Sequence, residues 1–267
     1  PSINNGALDP ANIEQIEVIK GPSGTLFGSP LISYGGLINL TTKRPYDFFG
    51  GSVGYVAGGF GLNRFTADVN LPLGKGTAAR LNAAFHDENS FQDAGFAKRF
   101  YLAPSFSIRA SERLTFLVNT EFLSSEAANA PMVFLNRYAP LSFGEIGDFE
   151  KIYERSFTSN DLTIRNPTLG VQAQAIYDLG GGWTSQTVLS RSSARTDGYY
   201  HYLWDASNGS DFPRFISKRN GETVTTDFQQ NFIGHFSLGG FRNRVVVGVD
   251  YFKSNIGNSS TGWVANG

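Results

Sequence analysis

The chain has 267 residues and a formal net charge of −1, so it lacks the basic surplus that nucleic-acid binding needs. It has no cysteine, which excludes disulfides and thiolate metal sites, and His86, His201 and His235 lie far apart in sequence. No run of about 18 apolar residues is present, which excludes a transmembrane helix but leaves a strand-crossing membrane protein open, because alternating strands average out in hydropathy.

Residues 1–47 carry two short apolar stretches, Ile13 to Ile19 and Leu37 to Leu40, separated by Gly/Pro/Ser-rich turns at Gly21–Gly24 and Gly28–Pro30. That predicts a compact, loop-rich segment with short strands. From about residue 49 long alternating segments begin. Phe65, Ala67, Val69 and Leu71 alternate with Arg64, Thr66, Asp68 and Asn70, and Ala79, Leu81, Ala83 and Phe85 with Arg80, Asn82 and His86. Phe100, Leu102, Phe106 and Ile108 alternate with Tyr101, Ser105, Ser107 and Arg109, and Leu114, Phe116, Val118 and Phe122 with Thr115, Asn119 and Glu121. The pattern resumes at 169–179, at 222–238 (Phe228, Phe232 and Phe236 against Asp227, Gln229, Asn231 and His235) and at 245–252. With less regular strands near 50–58 and 183–196, about nine strands are expected after residue 48, each placing its two sets of side chains on opposite sheet faces.

The connections fall into two classes. Those at Pro72–Gly76, Ala110–Arg113, Gly180–Gly182 and Gly239–Arg242 are tight, and those at about 127–166 and 198–221 are long. A soluble β-sandwich alternates too. Strands of about ten residues, loops that differ by end, and aromatics at strand ends (Phe48, Phe49, Tyr101, Tyr177, Trp183, Tyr251) favour a membrane barrel. The expected fold class is all-β, a transmembrane antiparallel β-barrel.

The most specific local signal is the run Ile13-Glu14-Gln15-Ile16-Glu17-Val18-Ile19-Lys20-Gly21-Pro22. Leu26-Phe27-Gly28 follows, then Gly35-Gly36-Leu37-Ile38-Asn39-Leu40 and Thr42-Lys43-Arg44-Pro45. In order and spacing this resembles the end of the plug domain of TonB-dependent outer-membrane receptors, especially those for ferric siderophores. The resemblance implies a plugged barrel of about 22 strands. It divides the chain into the C-terminal part of a plug (residues 1–47) and the N-terminal part of the barrel (residues 48–267). Pro1 and Gly267 then read as cut ends, with the front of the plug and the closing strands outside them. Inside such a barrel Glu17, Lys20, Lys43 and Arg44 are expected to pair with charges on the watery inner wall.

The implied function is an outer-membrane receptor that binds a ferric siderophore at the cell surface and imports it with energy from the TonB–ExbB–ExbD complex. The coupling peptide would lie in a missing N-terminal segment. Iron would arrive as ferric-siderophore cargo, so no cofactor or protein metal site is expected. Haem, cobalamin or an oligosaccharide are alternative cargoes, and a passive porin-like barrel is a further alternative that the plug run opposes. Large rigid aromatics and arginine suit a polar, anionic chelate. Three clusters qualify: Phe27 at a plug turn; Met132, Phe134 and Arg137 at the start of the first long loop; and Tyr199, Tyr200, Tyr202 and Trp204 entering the second. At strand ends such aromatics also serve as lipid-interface girdles. Alternation lets at most every other one face inward: either Tyr200, Tyr202 and Trp204, or Tyr199 in the opposite register. No nucleophilic, phosphate-loop or zinc-hydrolase pattern occurs, so no enzyme is expected.

An open sheet leaves two unpaired edges, which lipid cannot satisfy. This chain alone is therefore expected not to insert as a stable barrel. Recovery of a heat-modifiable monomeric barrel from these residues would overturn that expectation.

Overall fold

The computed structural model describes residues 9–21, 35–141, 143–145, 147–150, 153–207 and 212–266. Asp9 caps a short 3-10 turn, Pro10–Asn12, by accepting a hydrogen bond from the Ala11 N–H. Strand β1 (Ile13–Lys20) then pairs antiparallel with β2 (Gly36–Thr42), from Ile13 opposite Thr42 to Lys20 opposite Gly36. These two strands form a sheet of their own.

The second sheet begins with β3 (Gly50–Ala57), β4 (Asn63–Gly74), β5 (Thr77–Asn89), β6 (Phe96–Arg109) and β7 (Leu114–Ala128). Short pieces follow: β8 (Met132–Phe134), α1 (Gly147–Glu150) and β9 (Thr163–Arg165). Long strands resume with β10 (Thr168–Gly180), β11 (Trp183–Trp204), β12 (Arg214–Leu238) and β13 (Phe241–Ser260), and β14 (Val264–Ala265) closes the described chain. The spatial order is β13-β12-β11-β10-β7-β6-β5-β4-β3, every neighbour antiparallel. These are nine long strands, as the alternation predicts. β3 and β13 are its two edges.

The short strands extend the loop end of the wall. β10 starts only at Thr168, so above it β9 bridges β7 and β11, with Arg165 opposite both Glu126 and Asp197. β8 runs parallel to β11, setting Phe134 opposite Trp204, and β14 sets Ala265 opposite Phe215 on β12.

Two sequence expectations change. The loop expected at about 198–221 is mostly strand: β11 and β12 stay paired up to Leu203 opposite Arg214. Their pairing outlasts the apolar alternation because backbone hydrogen bonds continue where the side chains have become polar. Tyr101 is not a girdle residue. It is 2% exposed on the inner face and donates to Glu121. Phe48, Phe49, Tyr177 and Tyr251 are exposed as a girdle needs.

The two faces differ as their side chains require. On β4 to β7 the exposed face shows Phe65, Leu81, Phe85, Phe100, Phe106, Phe116 and Phe122. The opposite face buries Asn70, Asn82, Ser105 and a small cluster of Ala84, Tyr101, Ala103 and Leu123, against which Ala11 packs. At the turn end, Trp183 lies over Gly234 on β12, where an added Cβ would come within 2.7 Å of the indole ring. The same ring stacks on Phe236 at 6.5 Å between centroids.

The outer face predicts a depth-dependent cost. Leu81→Arg on the outer face of β5 is expected to destabilise the membrane-inserted protein by about 2–4 kcal/mol, whereas an arginine on the inner face is not penalised by lipid. Reversible denaturant unfolding in lipid vesicles measures this. A cost near zero would place Leu81 away from the bilayer.

Candidate functional site

Two constellations occupy the inner face. The first ties the N-terminal segment to β4 through β7. Asp9, 1% exposed, accepts from both terminal guanidinium nitrogens of Arg64, at 2.8 and 3.0 Å. Lys43 donates to Asp68 at 2.9 Å, and Arg80 grips the same carboxylate with Nε and a terminal nitrogen, both at 2.8 Å. Arg80 also donates to the Arg44 carbonyl and lies over the Tyr46 ring, 5.2 Å from its centroid. Fully buried Asn70 accepts from the Tyr46 N–H and donates to the carbonyls of Tyr46 and Phe48. Asn12 links Asn82 to Glu121, which also accepts from the Tyr101 hydroxyl.

Arg64 pairs with Asp9, Lys43 and Arg80 share Asp68, and Glu121 is held by the neutral donors Asn12 and Tyr101. Removing charge from water is costly, so a segment held this way needs each partner within hydrogen-bonding distance.

Only Lys43 of the four charges singled out in the sequence pairs with the wall. Glu17 is instead used inside the small sheet, accepting from Gln15 and Asn39. Lys20 and Arg44 are exposed and form no ion pair among the described residues. Glu17 and Lys20 lie on β1, which pairs with β2 in the separate small sheet, whereas Lys43 follows β2 directly and donates to Asp68. Asp9 and Asn12 carry the tether instead. Neither stands out in sequence, because a lone Asp before Pro reads only as a turn.

The second constellation lies at the loop end, opposite the tight turns. Tyr202 meets Phe134 edge-on at 5.1 Å, stacks on Phe215 at 5.0 Å, and meets Trp263 edge-on at 4.7 Å between centroids. Arg219 lies over both Trp263, at 5.0 Å, and Tyr200, at 5.8 Å. The register produces this grouping: Tyr200 is opposite Ser217 and Tyr202 opposite Phe215, so even positions of β11 share a face with odd positions of β12. That face also carries Asp227, Gln229 and Asn231 lower down, so it is the inner one.

The structure thus chooses between the two registers left open by alternation. Tyr200, Tyr202 and Trp204 fall on the inner face, while Tyr199 falls on the outer one beside Lys218, whose Nζ is 5.8 Å from its ring centroid. Met132 lies opposite Tyr202 on β8. Arg137 is exposed beyond β8 and joins no cluster. Phe27 lies outside the described residues. Phe215, Arg219 and Trp263 were missed. The first two fell in a stretch read as loop, where no face could be assigned, and Trp263 follows the last alternating segment.

The surrounding loops are pinned to one another. Asp93 accepts from the backbone N–H and hydroxyl of Ser156, at 2.9 and 2.8 Å, and these bonds hold its carboxyl below the usual carboxylate range. Gln92 donates to the carbonyls of Tyr153 and Arg155. His201, 1% exposed, sets Nε2 against the Asn129 carbonyl and the Thr158 hydroxyl. The loop between β8 and β9 is therefore fastened to both the β5–β6 tip and β11.

No family model matches the chain. It is 37% identical over 277 residues to the catecholate siderophore receptor Fiu of Escherichia coli K12, covering 94% of this chain and 35% of that protein. It is 28% identical over 257 residues to the metal-pseudopaline receptor CntO of Pseudomonas aeruginosa UCBPP-PA14, again covering 94% of this chain and 35% of the relative. The chain therefore spans about a third of the length of these relatives. The ferripyoverdine receptor of the Pseudomonas aeruginosa outer membrane superposes with a TM-score of 0.80 at 22% identity, over 94% of this chain and 33% of that one. At that identity the likeness shows the fold.

The tether predicts a local effect. Asp9→Ala leaves Arg64 without its carboxylate and is expected to cost about 2–3 kcal/mol, between the values for exposed and fully buried pairs. Hydrogen exchange should rise at residues 10–20 and stay unchanged at β11 and β12. Unchanged protection at 10–20 would mean that this pair does not hold the segment.

Proposed function

We propose that this chain, which belongs to the TonB-dependent outer-membrane receptors, is the part of a ferric-siderophore importer that joins the end of the plug to the first strands of the barrel wall. Residues 1–47 act as the end of the plug and residues 48–267 as the start of the barrel. The receptor resides in the bacterial outer membrane and takes up a ferric chelate at the cell surface. The TonB–ExbB–ExbD complex supplies the energy through a part of the receptor outside this chain.

The observation that carries this reading is the division of one inner wall into two zones. Near the turn end the wall is polar and holds the plug segment by the network around Asp68. At the loop end it carries the aromatic group of Phe134, Tyr202, Phe215 and Trp263, whose ring contacts are with one another and not with the described residues of the N-terminal segment. A passive pore has no use for a charge-fastened segment inside its lumen. An aromatic shelf above that segment suits a compact chelate held by ring faces and polar tips.

The receptor is a transporter and not an enzyme: the chemistry it needs is recognition and gated passage. Iron is cargo, bound by the chelator before it arrives, so the protein holds no cofactor of its own.

The full-length receptor, expressed in an iron-starved host without its own siderophore receptors, is expected to restore uptake of radioiron from at least one ferric chelate. Uptake should vanish in a host lacking TonB. Tyr202→Ala removes the ring that three others contact, and it should weaken chelate binding about tenfold, as truncation of a central aromatic anchor does. Uptake that persists without TonB, or growth on no ferric chelate at all, would sink the importer reading.

A further inference from the structure

Arg219 differs from the three cations that fasten the N-terminal segment. Arg64, Lys43 and Arg80 are matched to carboxylates. Arg219 forms no salt bridge among the described residues, and its Nε is buried without a hydrogen-bond partner. Its neighbours across the ladder are Gly198 on β11 and Ser260 on β13, both uncharged. The next carboxylate along the inner face of β12 is Asp227, eight residues further, which is roughly 26 Å at the rise of an extended strand.

This cation is nevertheless held firmly. The rings of Tyr200 and Trp263 both lie under its guanidinium, and Trp263 is itself packed on Tyr202. Ring faces attract a guanidinium and orient it without neutralising it. An oriented, unneutralised donor next to ring surfaces is suited to a ligand that brings two things together: a flat aromatic face and oxygens bearing negative charge. The ring of such a ligand stacks among Tyr202, Phe215 and Trp263, and its oxygens accept from Arg219. A cationic chelate gains the stacking surface poorly and meets a like charge.

We propose that Arg219, with Tyr200 and Trp263, is the specificity-determining group of this receptor, and that it selects anionic ferric chelates whose arms are aromatic diolates over neutral or cationic hydroxamate chelates. The inference rests on the importer reading above and adds the chemical class of its cargo.

The test uses the full-length receptor in detergent, with binding read from quenching of intrinsic fluorescence. The probes are a ferric tris-catecholamide, which is anionic, and a linear ferric tris-hydroxamate bearing a free amine, which is cationic. The wild type should bind the first at least about tenfold more tightly, the difference that one charge-assisted contact supplies. Raising the salt concentration should narrow the gap. Arg219→Gln should abolish most of the preference, Arg219→Lys should retain part of it, and both should remain heat-modifiable barrels. Equal wild-type affinities, or a preference unchanged in a folded Arg219→Gln variant, would overturn the proposal while leaving the importer intact. If neither chelate nor any other ferric chelate binds the wild type, the importer reading falls and takes this inference with it. The wild-type comparison decides even if the variants do not fold.

Discussion

Backbone hydrogen bonding governs this molecule. In lipid each N–H and C=O must find a partner within the protein, and antiparallel pairing of neighbouring strands meets that demand while leaving one face free to be apolar. The long strands follow from it, as do the tight turns at one end. Pairing continues between β11 and β12 well beyond the apolar zone, and that surplus length builds the loop-end wall. β8, β9 and β14 are added to the same ladder, so Phe134, Tyr200, Tyr202, Phe215 and Arg219 sit on strands and Trp263 lies directly before one. Side chains carried by paired strands are held more rigidly than those on loops, which suits an aromatic shelf that must keep its geometry.

The inner face imposes the complementary demand. It is polar, but it is also covered by the N-terminal segment, and covering it removes water from charged groups. Where the segment lies, the structure answers with partners: Asp68 takes both Lys43 and Arg80, Asp9 takes Arg64, and Glu121 is shared by Asn12 and Tyr101. Small residues at Ala84 and Ala103 let the turn at Ala11 approach the wall. A segment fastened by many polar contacts, with one small apolar cluster among its described residues, is tightly positioned yet can be released without tearing open a core. That physical character suits the plug role proposed for this segment.

Much of this was legible in the residues. The alternation of Phe65 to Leu71 against Arg64 to Asn70 depends only on the two-residue period of a strand, so it survived folding unchanged. The turn glycines marked the same end of each hairpin for the same local reason. The site was less legible. Tyr200 and Tyr202 could be proposed as inward only together with the alternative that put Tyr199 there, because alternation defines two faces without saying which is which. Arg219 and Phe215 lie in a polar stretch where alternation disappears. Lys20 and Arg44 were expected to pair with the wall because charge in an apolar segment demands a partner, but exposure satisfies that demand equally well.

What the sequence by itself determined is the class of the molecule: the strand count, the two kinds of connection, the lipid-facing set of side chains and the plug-like run before them. These depend on local periodicity and short motifs, which are properties of neighbouring residues. What only the tertiary structure decided is which distant residues meet: Asp9 with Arg64, Asn12 with Glu121, and Tyr202 with Phe134 and Trp263. Those contacts are set by the register of strands far apart in the chain, and a shift of one residue would send each of these side chains to the other face.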